Sequence, residues 1–285
     1  MDDNEAGQAQ WTERGQAAAA ALAETWGSLA ESCHALVTRE WELPTECPGW
    51  SVQDQLSHLI GVEQMVMGQP PPAWDGPPGE HVKNDFAALN EKWVAVRRHR
   101  EGDAVLAEFN DVTGARLAQL AALSPDAWAA VGPSPVGEVP YARFMETRVF
   151  DSWVHEQDAR RALDRPGGWG GLASGFGLGQ VEAAMGFVVG KKAAAPDGSV
   201  VRFDVSGVPR DARCFSLGVT AGRAAPLRDG DDRSPTVSLS LSGADFVRLG
   251  CGRVTGPEAL AATAVGVRGD AELAERILGA MNFMF

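Results

Sequence analysis

Residues 140–163 read PYARFMETRVFDSWVHEQDARRAL, and this stretch decides the fold. Pro140 suits the first turn of a helix, and no further Pro or Gly intervenes before Pro166, so about six helical turns are predicted. At about 100° per residue, Phe144, Met145, Ala159, Ala162 and Leu163 share one face with Arg148, Asp151, His155 and Asp158. The charged members stand three or four residues apart, each one turn above the last. Charges on a core-facing stripe need compensation, because an unpaired buried charge is costly. A metal ion or a closed ion-pair network would supply it. Asp151 and His155, at i and i+4, have the spacing by which one helix offers two ligands to one ion.

Working back toward the N-terminus, Trp11 to about Glu40 is predicted as one helix, with Trp11, Ala18, Leu22, Trp26, Leu29, Cys33 and Leu36 as its apolar stripe. His34 falls off that stripe and reads as solvated. Leu43–Trp50, with two prolines and a glycine, is a loop. Ser51 then caps a helix, and Asp54 three residues on completes a capping box. That helix would bury Val52, Leu56, Leu59, Ile60 and Val66, with His58 at the edge of the apolar arc. Taken alone, His58 reads as a core-edge histidine. Gln69–Gly79 is a Pro/Gly turn; Asn84–His99 and Asp103–Leu123 are helical with a break at Gly102; Ser124–Val139 is a loop. The cluster Arg97, Arg98, His99 and Arg100 is either a solvated helix end or a receptor for a substrate carboxylate. Four amphipathic segments joined by loops describe a four-helix bundle, in which metal sites are built from inward-facing side chains of different helices. His58 is the one histidine outside the 140–163 stretch near a core-facing stripe, and so becomes the third expected ligand.

Gly167–Gly171 (GGWGG) marks a linker dividing residues 1–166 from 172–285. Beyond it the pattern changes. Ala173–Lys192 reads as a helix weakened by glycines, and Val200–Val205, Cys214–Thr220 and Thr236–Leu241 as strands. Ala244–Gly250, Pro257–Val265 and Ala271–Met281 read as helices, with Asp270 as an N-cap. This is a small α+β domain, so the chain as a whole is α+β.

Composition narrows the function classes. The 285 residues are 45% hydrophobic and carry a formal net charge of −13, which disfavours a nucleic-acid partner or an anionic membrane surface. No run approaches the roughly 20 apolar residues that span a bilayer, and the acidic, polar start MDDNEAGQAQ is unlike a signal peptide. Cys33, Cys47, Cys214 and Cys251 are scattered without a CxxC pair, as expected of reduced thiols in a cytoplasmic protein. A monomer acting on small molecules is expected.

A His–Asp–His set with a vacant fourth position is the pattern of a catalytic zinc, which lowers the pKa of a bound water or thiol. No nucleophile elbow, P-loop or HExxH motif competes with that reading. At this point a family comes into view. PTECPGWSVQDQLSHLIGVE resembles the segment of mycothiol-dependent maleylpyruvate isomerases that carries the first metal ligand. RVFDSWVHEQDARRAL resembles their second metal-binding helix, and LSLSGADFVRLGCGR with VRGDAELAERILGAMNF resembles their C-terminal domain. The resemblance implies a DinB-like four-helix bundle followed by a sterol-carrier-like α+β domain. It implies zinc on His58, Asp151 and His155, with Asp151 one methylene shorter than the family's glutamate. It further implies mycothiol as the thiol cofactor, Arg253 of the GR motif as an anion receptor, and Arg97 as the counterpart of a bundle arginine.

The implied reaction has a mycothiol thiolate attacking an electrophilic small molecule, with Arg253 and Arg148 neutralising its carboxylate, or with Arg148 pairing with Asp158. The outcome is a maleylpyruvate-type cis–trans isomerisation, with S-conjugation of the thiol as the alternative. A non-catalytic ligand-binding protein with a decayed metal site is the further alternative, and a plain metallohydrolase using water also stays open. Glu63, inside an apolar arc, is expected to orient a ligand, and Cys47 to be a buried loop thiol.

Overall fold

The computed structural model describes residues 3–77, 79–208, 213–228 and 233–284. The chain forms two compact units, Met1–Phe176 and Gly177–Phe285, so the divide falls inside a helix shortly after the Gly167–Gly171 run.

The first unit is helical: α1 (Asp3–Ser32), α2 (Thr38–Trp41), α3 (Val52–Val66), α4 (Asp85–Ala95), α5 (Gly102–Ala121), α6 (Pro125–Ala129) and α7 (Tyr141–Ala162), with a hairpin of β1 (Val131–Ser134) and β2 (Gly137–Pro140) before α7. The bundle is α1, α3, α5 and α7: α1 packs on α5 and α7, and α3 on the same two helices. The α1–α7 seam is laced by side chains that the helical repeat brings level. Trp26 Nε1 donates to Ser152 Oγ at 3.0 Å, and Thr25 and Ser28 donate to the two Glu156 oxygens at 2.5 and 2.6 Å. Arg14 pairs with Glu146 at 2.7 Å. Around these contacts Leu22, Leu29, Met145, Val149 and Trp153 are fully buried.

Several local expectations hold for the reasons given. Ser51 accepts from Asp54 N while Asp54 accepts from Ser51 N, which fixes the start of α3. Others are corrected. Trp11–Glu40 is not one helix: Ala35 takes the left-handed φ of 56°, closing α1 and re-aiming the chain into α2. Ser124–Val139 is not a plain loop, because Ser124 caps α6, with Pro125 in its first turn, and the hairpin follows. Val66 is half-buried instead of core.

The second unit begins within α8 (Leu172–Phe187), which runs into a π-helical turn at Val188–Lys192. Its sheet has the order β5-β4-β3-β6-β7, from β3 (Val200–Ser206), β4 (Arg213–Thr220), β5 (Arg223–Pro226), β6 (Val237–Ser242) and β7 (Val265–Gly269). All pairs are antiparallel except β3–β6. Phe203 stacks on its cross-strand partner Phe215 at 4.9 Å, and Phe246 of α9 (Gly243–Gly250) packs on both. Helices α10 (Gly256–Ala261) and α11 (Ala271–Ala280) complete the unit, with Leu273, Ile277 and Leu278 buried.

Strands β5 and β7 were not expected: β5 is four residues long, and β7 starts at Val265, the last residue assigned to a helix that in fact ends at Ala261. Gly186 near the end of α8 and Gly190 in the π-helical turn have a packing reason. A Cβ on Gly186 or Gly190 would lie 2.9 Å or 2.6 Å from the β5 backbone at Ala224. A further correction concerns hydropathy. Leu172–Lys192 is 21 residues long with mean hydropathy 1.3, so by length and composition it is apolar enough to cross a membrane. Its Leu178, Val181, Met185, Val188 and Val189 are buried.

Close helix packing yields a paired prediction. A Cβ at Gly61 in α3 would meet Trp93 Cβ at 2.3 Å, whereas nothing lies within 4 Å of one at Gly27 in α1. Gly61→Ala should therefore destabilise by about 1–2 kcal/mol, overpacking outweighing the helix-propensity gain. Gly27→Ala should stabilise by up to about 1 kcal/mol. Urea denaturation of both variants measures the difference; equal effects would contradict the close α3–α4 contact.

Candidate metal centre

The facing surfaces of α3 and α7 bring His58, Asp151 and His155 together. One ligand atom from each lies within 4.8 Å of the others. His58 Nε2 is 3.3 Å from Asp151 Oδ2, and His155 Nε2 is 3.6 Å from Asp151 Oδ1. Donors bound at zinc distances in tetrahedral geometry stand about 3.3 Å apart, so the set needs little movement to close on an ion. The imidazoles are buried, whereas the Asp151 side chain keeps 22% of its surface exposed, leaving the carboxylate as the open side of the cluster.

The surroundings prepare each group differently. His155 Nδ1 lies 2.5 Å from Gln55 Oε1. The Gln55 amide nitrogen donates to Thr45 Oγ1 at 2.8 Å and Ser51 O at 3.3 Å, which turns its oxygen toward the ring. His155 therefore carries its proton on Nδ1 and offers the Nε2 lone pair, the usual arrangement behind a metal-ligating histidine. His58 Nδ1 is buried without a partner among the described residues. Burial pushes the His58 imidazole down to about 4 from its ordinary 6.5, so the ring is neutral, as a ligand must be. Asp151 is partly withdrawn from water, which would raise its carboxyl, yet Arg148 and then His58 hold it well below the usual carboxylate range.

Arg148 is the structural hinge of the charge arrangement. Its Nη1 donates to Asp151 Oδ2 at 2.5 Å and its Nε to Glu63 Oε1 at 2.9 Å. Glu63 also accepts from Arg116 Nε at 3.0 Å, and Arg116 in turn contacts the Tyr141 hydroxyl. Glu63 is thus linked to Asp151 through Arg148. Arg148 does not pair with Asp158, which instead accepts from Arg161 at 2.7 Å.

Over the histidines sits Trp50, with ring centroids 4.9 Å from His58 and 5.7 Å from His155. Trp50 Nε1 donates to Glu91, which also receives Arg98 and His81. The loop carrying Trp50 turns at Gly49, whose φ is 79° and where a Cβ would lie 2.3 Å from His81 Nδ1. Sequence reasoning missed Gln55, Trp50 and Glu91. Gln55 stands one turn before His58 on the same helix, a signal that was available; Trp50 and Glu91 meet only through tertiary packing.

The arginines divide. Arg97 is buried, and each of its three nitrogens donates within the bundle, to Glu108, Gln64 and the Trp93 carbonyl. That guanidinium ties the end of α4 to α3 and α5, correcting the expectation of a solvated helix end. Arg253 lies half-buried in the turn after α9 of the second unit, where Nη1 donates to the Cys251 carbonyl at 3.1 Å.

The His58 environment has a pH signature. The unfolded chain takes up a proton near 6.5 while folded His58 resists until about 4. Metal-free protein should therefore lose about 3 kcal/mol as pH falls through that interval, and nothing more from this group below it. Denaturant melts of wild type and His58→Gln at neutral pH and near pH 4 measure it. An undiminished acid slope in the variant would assign the loss elsewhere.

Comparison with known proteins follows the same lines. Residues 22–160 match the family model described as the mycothiol maleylpyruvate isomerase N-terminal domain. Among solved structures, a mycothiol-dependent maleylpyruvate isomerase aligns over 92% of this chain and 94% of its own, at 18% identity and TM-score 0.53. A histidine-to-alanine mutant of such an isomerase aligns over the same shares at 18% identity and TM-score 0.52. At that identity the likeness is one of fold. A sterol carrier protein domain of Helicoverpa armigera aligns with 35% of this chain and 78% of its own at 19% identity, but its TM-score of 0.28 is too low to bear on the architecture. No curated protein sequence matches the chain. The part of the chain that carries His58, Asp151 and His155 is thus the part that matches the mycothiol maleylpyruvate isomerase N-terminal domain, residues 22–160.

Proposed function

We propose that the protein is a mycothiol-dependent metalloenzyme. His58, Asp151 and His155 hold a divalent ion, zinc by donor type, and the reaction is a maleylpyruvate-type cis–trans isomerisation. The observation that carries this reading is the convergence of two imidazoles, that of His58 neutral, and one ionised carboxylate with nearly metal-ready spacing. It is supported by the N-terminal family match and by the shared fold.

Zinc held there would lower the pKa of a bound thiol so that the thiolate forms at neutral pH. The chain's own residues supply the remainder. Gln55 keeps the His155 proton on Nδ1. Arg148 draws on Asp151 Oδ2, so Oδ1 faces His155 and the shorter carboxylate is held in place. Trp50 covers the two rings and limits water on that side. Arg148, tied to Glu63 and Asp151, is better suited to positioning the ligand than to receiving a substrate carboxylate. The support for Arg253 as receptor of that anion is the likeness of its GR turn to the family's, and within the second unit its Nη1 donates to the Cys251 carbonyl.

Purified wild type should contain about one zinc per chain. His155→Ala should lose the metal and mycothiol binding together, read by elemental analysis and calorimetry on the same samples. Arg148→Met should weaken metal affinity about 10–100-fold while retaining the fold. With a cis-dienoic acid, catalytic mycothiol should give the trans isomer and be recovered intact. Stoichiometric thiol consumption would assign S-transfer instead, and a metal-free wild type indifferent to mycothiol would sink the reading.

A further inference from the structure

We propose a second, overlapping metal set formed by Cys47, His155 and Asp158, which takes a soft, thiophilic divalent cation such as cadmium and excludes an ion from the His58–Asp151–His155 set. The inference does not rest on thiol chemistry at the first set. One ligand atom from each of the three residues lies within 4.8 Å of the others. His155 Nδ1 stands 3.8 Å from Asp158 Oδ2. Asp158 is fully buried one turn beyond His155 on α7, and its other oxygen accepts from Arg161 at 2.7 Å. Cys47 is carried by the loop between α2 and α3, whose shape is fixed by Thr45 accepting from Cys47 N at 3.2 Å and donating to Trp50 O at 2.8 Å. A thiolate with one imidazole nitrogen and one carboxylate oxygen suits softer ions than the two imidazoles and carboxylate of the first set.

Exclusion follows from the ring shared by the two sets. A neutral imidazole has one lone pair, on whichever nitrogen lacks the proton. The first set uses His155 Nε2, and Gln55 Oε1 holds the proton on Nδ1 at 2.5 Å. The second uses Nδ1, on the side facing Asp158. For an ion to bind there, the ring proton moves to Nε2, Gln55 gives up its hydrogen bond, and the Cys47 thiol releases its proton to solvent. The Nε2 lone pair is then gone and the first set is left with two ligands. One ring therefore serves one ion at a time.

The test is cadmium titration of metal-free protein, followed by thiolate-to-metal charge-transfer absorption in the ultraviolet. Wild type and His58→Ala should both show the band, saturating at one equivalent. Cys47→Ser should lose it while still binding one zinc. In zinc-loaded wild type, cadmium should displace zinc one for one. Cadmium NMR of the wild type, whose shift reports sulfur ligation, gives the same answer should His58→Ala fail to fold. Absence of a sulfur signature in wild type at saturating cadmium would overturn the proposal. So would a band that survives in Cys47→Ser, or simultaneous binding of zinc and cadmium.

Discussion

Glu63 has no solvent-exposed surface, and the helical unit is arranged around what that requires. A carboxylate so placed must be met by charge, and it is met by two arginines, Arg116 from α5 and Arg148 from α7. Removing one partner of such a buried group leaves an uncompensated charge and costs about 3–5 kcal/mol. The network therefore specifies how α3, α5 and α7 sit against one another as firmly as the apolar stripes do. It also terminates at a chemical group, because Arg148 reaches beyond Glu63 to Asp151. Packing and site share one guanidinium.

The two histidines of the cluster are made unlike each other by their neighbours. His155 is oriented by a directional contact: Gln55 is fixed by Thr45 and Ser51 before it meets the ring. His58 has no such guide at Nδ1 among the described residues, and its neutrality comes chiefly from burial, with His155 and Arg148 adding to it. One ligand is thus set by hydrogen bonding and the other by exclusion of water, two distinct ways to present a lone pair. The carboxylate between them stays ionised because a cation is within 2.5 Å.

Much of this was legible in the residues. The 140–163 helix, the Ser51–Asp54 capping box, the three core strands β3, β4 and β6 and the meeting of His58 with Asp151 and His155 all follow from periodicity and spacing. What was not legible depends on contacts distant in sequence. Arg97 looks like part of a solvated basic cluster until Glu108 and Gln64, from two other helices, close on it. The hairpin at 131–140 is short, with Gly and Pro in both strands, so it carries no alternation. Helix α1 breaks at an alanine in the left-handed region, a strain that no propensity scale marks. The hydropathy of Leu172–Lys192 was underestimated because its Leu, Phe, Val and Met residues are interspersed with glycines and do not form one unbroken apolar run.

The Trp50 side chain is held by Glu91, and Glu91 is shared with His81, whose ring lies in the loop between α3 and α4 and presses against Gly49 and Gly79. The cover over His58 and His155 is thereby fastened to a Pro- and Gly-rich segment outside the cluster. Connecting loops vary more freely between relatives than the helices they join. Changes at positions 69–82 can therefore shift the Trp50 ring, and with it access to the histidines, while His58, Asp151 and His155 stay as they are. The segment is a place where selection could retune access without dismantling the cluster, a separation between the groups that form the centre and those that govern approach to it.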